Sequence, residues 1–132
     1  MEFCDGGDLV AYQGNLKEKV YSLDKATTLL ADVIRGLEHL HQQGYLHRDL
    51  KLQNILRSTI GGNEVCKLAD FGFSKPQKDT GGTNLGTEQF KAPEIFASEQ
   101  YGYSIDMWAF GVVLYFMLNR EYPFSNDVLT QR

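Results

Sequence analysis

The run His47-Arg48-Asp49-Leu50-Lys51-Leu52-Gln53-Asn54 packs a carboxylate, basic side chains, an imidazole and an amide into one short stretch, and Asp70-Phe71-Gly72 adds a second carboxylate further along. An ionised aspartate accepts hydrogen bonds without donating them, so it can take a proton from an alcohol. Lysine carries a compact point charge suited to an anionic group in transit. The oxygens of an asparagine amide and of an aspartate are the hard ligands that Mg²⁺ prefers. A base, a cation and two oxygen ligands are what phosphoryl transfer asks of a protein, because its demands are a positioned nucleophile, neutralised phosphate charge and a held metal ion. Taken singly, each residue has a plainer reading: an exposed loop carboxylate, a turn-forming Asn54, an Asx turn before Gly72. The combination is what points to chemistry.

These side chains need rigid elements around them. Ala26, Leu29, Leu30, Val33, Leu37 and Leu40 recur at three- and four-residue steps, which predicts an amphipathic helix from Ser22 to Gln43. Ser22 or Asp24 can cap its start, and Gly44 suits the left-handed exit. The β-like runs Asn54 to Arg57 and Val65 to Leu68, separated by Ile60-Gly61-Gly62-Asn63, predict a hairpin. Ser74 to Gly86 is polar and rich in Gly, Thr and Lys, the composition of a surface loop. Asp106 to Leu118 is apolar nearly all round and long enough for a helix buried on every side. The opening Met1 to Leu9 reads as a strand end entering a Gly6-Gly7 turn. The expected fold class is therefore mainly α with small β-hairpins.

Bulk properties narrow the function classes. The 132 residues suffice for one core. A net charge of -4 argues against a nucleic-acid partner, which calls for a basic excess or stripe. Cys4 and Cys66 lie far apart without metal-type spacing, which suits a reducing, cytoplasmic setting. No secretory leader is visible, and the apolar stretch Met107 to Leu118 is shorter than the ~20 residues of a membrane span. His39 and His41 sit two residues apart on the helix and face different sides, which disfavours a metal site.

Asp49-x-Lys51-x-x-Asn54, Asp70-Phe71-Gly72, Ala92-Pro93-Glu94 and Asp106-x-Trp108-x-x-Gly111 stand in an order and spacing that resemble eukaryotic protein kinases of the Ser/Thr type. The resemblance runs over almost the entire chain and implies a protein-kinase-like C-lobe, part of an α+β two-lobed kinase fold, so that residues 1–132 form a partial kinase domain. It implies Asp49 as catalytic base, with Lys51 and Asn54 as catalytic partners and Asn54 and Asp70 as Mg²⁺ ligands. It implies ATP held by the backbone of Glu2 and Cys4, with Asp8 at the ribose and Leu56 under the adenine, and Met1 at the gatekeeper position. It makes Arg48 a partner for a phosphate on the activation loop, with Thr83 the favoured phosphosite and Thr80 the second. Thr87 is implied to bond the catalytic Asp and Lys. His47 and Phe71 become spine residues packed on each other, and Asp106 the anchor of the catalytic-loop backbone. The hinge Glu2-Phe3-Cys4-Asp5-Gly6-Gly7-Asp8-Leu9 and the runs Lys51 to Leu56 and Ala69 to Phe73 resemble Unc-51-like autophagy kinases and, less closely, calcium-dependent kinases. The implied partners are protein substrates and an activating kinase, or the protein itself through autophosphorylation.

Departures from the family pattern carry expectations of their own. Leu52 replaces the usual proline, as does Glu88 after Gly86-Thr87, and Gln89-Phe90-Lys91 fills the segment that reads the residue after the phosphoacceptor. An acidic Glu88 suggests basic neighbours on the substrate. The family's Gly-rich loop, strand lysine and helix glutamate have no counterpart in these residues, nor does the later arginine that pairs with Glu94. Little or no kinase activity is expected from this stretch alone, along with exposed apolar surface where the remaining parts would pack. The alternative reading is a non-catalytic, kinase-like interaction module.

Overall fold

A computed structural model describes residues 6–14, 16, 20–69, 75–76, 88–97 and 101–124. The long amphipathic stretch folds as predicted into helix α2 (Leu23–Gln42), following α1 (Leu9–Gly14). Ser22 caps α2 by accepting from the Lys25 amide at 3.2 Å, and Asp24 sits in the first turn, where the helix dipole favours an acid. Ala26, Leu29, Leu30, Val33 and Leu37 form its buried stripe, while Leu40 is only half-buried. Gly44 leaves the helix at φ 82°, the left-handed conformation expected of it.

The hairpin is longer than its sequence signal. Strands β2 (Ile55–Ile60) and β3 (Asn63–Leu68) pair antiparallel from Ile55 opposite Leu68 to Ile60 opposite Asn63. Both turn residues, Gly61 and Gly62, have positive φ (58° and 83°), the geometry whose twist matches a two-residue hairpin. Gly6 and Gly7 run along the other edge of β2: the Gly6 amide donates to the Arg57 carbonyl at 2.9 Å, and the Arg57 amide donates to the Gly7 carbonyl at 2.7 Å. A side chain at position 6 would stand 2.7 Å from the Arg57 Cβ, so this approach requires glycine.

A second two-stranded sheet joins β1 (Tyr45–Leu46) to β4 (Lys75–Pro76), so part of the segment read as a polar loop is a strand. Pairing across that sequence distance leaves no local periodic signal in two residues. Helices α3 (Pro93–Phe96) and α4 (Ser104–Asn119) follow. Helix α4 buries Ile105, Asp106, Ala109, Val112, Val113 and Met117. It is not buried on every side, because Met107 and Tyr115 are exposed. Tyr122 and Phe124 are exposed as well.

Helices α2 and α4 share one core with α1 and the β2–β3 hairpin, including Leu9, Leu29, Val33, Leu37, Ile55, Val113 and Met117. Gly36 lets α2 close on β3, where a Cβ would lie 3.1 Å from the Leu68 Cδ1, and the Asp32 carboxylate accepts from the Cys66 amide at 3.1 Å. Tyr21 ties helix to helix by donating its hydroxyl to the Leu9 carbonyl and its amide to that of Met117. Among the described residues no helix is long and apolar enough to cross a membrane.

Two stability tests follow from this packing. Asp106→Ala strips the acceptor from two buried amides near the head of α4, and each orphaned donor costs roughly 1–3 kcal/mol; chemical denaturation should show a lower midpoint with an unchanged slope. Burial pushes the Cys66 thiol up from 9.0 to about 12. Folding thus favours the protonated thiol. Its contribution to stability is complete below pH 9 and is lost as pH rises through 12. Cys66 should resist maleimide at pH 8 until the chain is unfolded, as read by mass spectrometry with and without denaturant.

Candidate functional site

The 47–54 loop begins where β1 ends, and α4 fixes its shape. The Asp106 carboxylate accepts from the His47 amide at 2.8 Å through Oδ2 and from the Arg48 amide at 3.0 Å through Oδ1. His41, near the end of α2, donates its Nε2–H to the same Oδ2 at 2.7 Å, and its ring lies against Tyr103 with centroids 4.6 Å apart. Asp106 is only 1% exposed, so these charge-assisted bonds offset the cost of burying it. Between the two pinned amides and Asp49, Arg48 is held at φ 70°, a left-handed conformation that is costly for a residue with a side chain. Such strain persists only where the surroundings over-determine it, and here a carboxylate grips the amide of the strained residue and of the one before it.

His47 joins the loop to the end of β3. Its Nδ1 accepts from the Asp49 amide at 3.2 Å, and its Nε2 faces the Ala69 carbonyl at 2.9 Å. Acceptor at one nitrogen and donor at the other is the pattern of a neutral imidazole. The ring is fully buried and occupied at both ends, which agrees with a structural rather than an acid–base histidine. The Ala69 amide in turn donates to the Asn54 carbonyl at 2.8 Å. The residue before Asp70 is thus bonded on both sides to the 47–54 loop.

Asp49, Lys51 and Asn54 converge. The Asn54 Nδ2 donates to the Asp49 carbonyl at 2.8 Å and lies 3.3 Å from the Asp49 Oδ2. The Lys51 Nζ stands 3.6 Å from that same oxygen. Asp49 and Asn54 are buried, whereas Lys51 is partly exposed. A short 3-10 turn, Leu52–Asn54, provides the reach: Leu52 buries its side chain as an anchor, and the Asn54 amide donates to the Lys51 carbonyl at 3.0 Å. The amide nitrogen of Asn54 is directed at Asp49, so its oxygen is the end left to ligate a cation. That donor chemistry fits a hard metal ion.

Asp8 and Leu56 are also brought together as bridge partners beside β2. The Asp8 Oδ1 caps α1 by accepting from the Ala11 amide at 2.8 Å, a role the sequence reading had not assigned it. The Arg48 Nη1 donates to the Tyr101 hydroxyl at 2.9 Å, both side chains being buried. Glu94 accepts from the Ser104 hydroxyl at 3.4 Å. Glu2, Cys4, Asp70, Phe71, Thr80, Thr83 and Thr87 lie outside the described residues. The sequence reading missed the link from His41 to Asp106 and that from Arg48 to Tyr101. Nothing in local spacing announces either one, since both join residues far apart in the chain.

Comparisons with known proteins identify the family. The family model described as "Protein kinase domain" matches residues 1–132. The chain is 41% identical over 130 residues to "Protein kinase C-like 1" of Saccharomyces cerevisiae, covering 96% of this chain and 11% of that protein. It is 40% identical over 131 residues to "Protein kinase C delta type" of Rattus norvegicus, covering 96% and 19%. Against "Protein kinase C" of Aspergillus fumigatus it is 38% identical over 130 residues, covering 96% and 11%. The chain therefore spans between 11% and 19% of the length of these relatives. All three are of the protein kinase C kind, so the finer likeness to Unc-51-like kinases rests on the motifs alone. A kinase-domain match over the whole chain, joined to these relatives, makes the chain a member of the eukaryotic serine/threonine protein kinase family.

Proposed function

We propose that this chain is the hinge and most of the C-lobe of a protein kinase and contributes its transfer site, moving a phosphoryl group from ATP to Ser or Thr hydroxyls of protein substrates. The observation that carries the reading is the convergence of Asn54 and Lys51 on one carboxylate oxygen of Asp49, at 3.3 and 3.6 Å. Asp49 receives the substrate hydroxyl and takes its proton at a carboxylate oxygen. Lys51 keeps positive charge beside that oxygen, where negative charge accumulates during transfer. Asn54 fixes the Asp49 backbone through Nδ2 and offers its oxygen, with Asp70, to Mg²⁺. Bound ATP and Mg²⁺ would supply the phosphoryl group and neutralise its charge. Glu2, Cys4, Asp8 and Leu56 form the nucleotide's hinge side, and the pairing of Asp8 with Leu56 supports that placement. Arg48 is the partner for a phosphate at Thr83, and Thr87 the bridge between base and lysine.

The phosphate side of ATP calls for a lysine–glutamate pair that these residues do not include, so the reading belongs to the complete protein carrying this chain. In that protein, Asp49→Asn should lower phosphoryl transfer to a peptide by roughly 10²–10⁴-fold, the share of a positioned base, while leaving Mg²⁺-dependent nucleotide affinity within a few-fold. Asn54→Ala should instead weaken the Mg²⁺-dependent part of that affinity. Radiolabelled transfer and nucleotide titration with and without Mg²⁺ measure the two effects. A silent Asp49→Asn would favour the non-catalytic interaction module.

A further inference from the structure

Arg57 grips the chain on both sides of Asp8. Its carbonyl accepts from the Gly6 amide at 2.9 Å, and its amide donates to the carbonyl of Gly7, the residue just before Asp8, at 2.7 Å. Its side chain crosses to α1 and lays the guanidinium over the ring of Tyr12, with Cζ 3.6 Å from the ring centre. The Tyr12 amide in turn donates to the Asp8 carbonyl at 3.2 Å. Leu56, the neighbour of Arg57 in β2, is the bridge partner of Asp8 itself. One residue of β2 thus clamps the segment carrying Asp8 from before and from behind.

The clamp on Tyr12 is a stack and not a hydrogen bond. Among the described residues the Arg57 Nε and Nη1 are buried and have no acceptor. Buried donors without acceptors are costly, and an apolar side chain would avoid that cost. What an apolar side chain cannot supply is a planar cation against an aromatic face. Tyr12 is held from other directions as well: its ring centre lies 5.5 Å from that of Tyr21 and 5.8 Å from the Lys25 Nζ. Tyr21 bonds the Leu9 carbonyl, and Lys25 pairs with Glu64 of β3. Helix α1 has only six residues, too few to be stable alone, so these side chains decide where it sits. The Asp8 Oδ1 is occupied by the Ala11 amide. Oδ2 is the oxygen that remains for a ligand hydroxyl, and its position follows that of α1.

We propose that Arg57 is a positioning residue for the nucleotide: its guanidinium, stacked on Tyr12, holds α1 where the Asp8 carboxylate meets a ribose hydroxyl. This rests on the reading of Asp8 as the ribose contact.

The test uses the full-length protein carrying this chain and compares ATP with 2′-deoxy-ATP and 3′-deoxy-ATP, by titration and by turnover. In the parent protein, loss of the hydroxyl that Asp8 accepts from should weaken binding about tenfold, as for a charge-assisted hydrogen bond. Asp8→Ala should erase that ratio. Arg57→Met should shrink it to about threefold or less, because a displaced carboxylate makes a poor hydrogen bond, and the change should fall in KM for ATP rather than in kcat. Each variant is judged by a ratio of two nucleotides, so a loss of folded protein cancels. Tyr12→Leu removes the same stack from its other side and should reproduce the effect, with the double variant no worse than either single one. The proposal is overturned if Arg57→Met and Tyr12→Leu keep the parent ratio, if they weaken all three nucleotides alike, or if their effects add. A silent Asp8→Ala would remove the ribose reading, and this proposal with it, while leaving transfer at Asp49 in place. Discrimination that depends on Asp8 but not on Arg57 would sink the proposal alone.

Discussion

One buried carboxylate organises this molecule. Asp106 reaches from the first turn of α4 to two successive amides of the 47–54 loop and to the imidazole of His41. The loop needs such a grip because Arg48 stands at φ 70°, where an ordinary residue does not rest without help. A carboxylate suits the task better than a neutral acceptor. It has lone pairs enough for several donors, and each bond gains from its charge. The conformation of the loop is therefore set by the position of α4, and that position is set by the packing of α4 on α2.

From that anchor the polar groups around the 47–54 loop are linked in sequence. His47 carries the constraint from the loop to Ala69, Ala69 returns it to Asn54, and Asn54 passes it to Asp49. Buried polar groups of this kind stabilise only when each has a partner, since a half-satisfied network is worse than none. Ordinary apolar burial supports it from beneath, with Leu50, Leu52 and Ile55 each nearly inaccessible to water.

Much of this was legible in the sequence, for identifiable reasons. Helix α2 announced itself through its stripe, its Ser22 cap and Gly44, all local signals of known period. The hairpin was found from Gly61-Gly62, though its strands extend further than their β-branched residues suggested. The 47–54 residues were legible because their charged and polar side chains sit within one short stretch of sequence. Helix α1 was missed because six residues are too few to display a period. The pairing of β1 with β4, the bond from His41 to Asp106 and that from Arg48 to Tyr101 were missed because each is a tertiary contact between distant residues. The two-residue spacing of His39 and His41 showed only that they face apart, and said nothing of what His41 would meet.

At the far end of the β2–β3 hairpin the demands are reversed. Gly61 and Gly62 hold backbone angles natural to mirror-image amino acids, and a side chain added at either would meet nothing within 4 Å. Their surroundings are open water, while the strands behind them stay paired through a regular antiparallel register. A reporter dye, a D-amino acid or a short grafted peptide could be carried there without disturbing the strained loop at the hairpin's base. The same ribbon thus joins a point that tolerates almost no alteration to one that welcomes it.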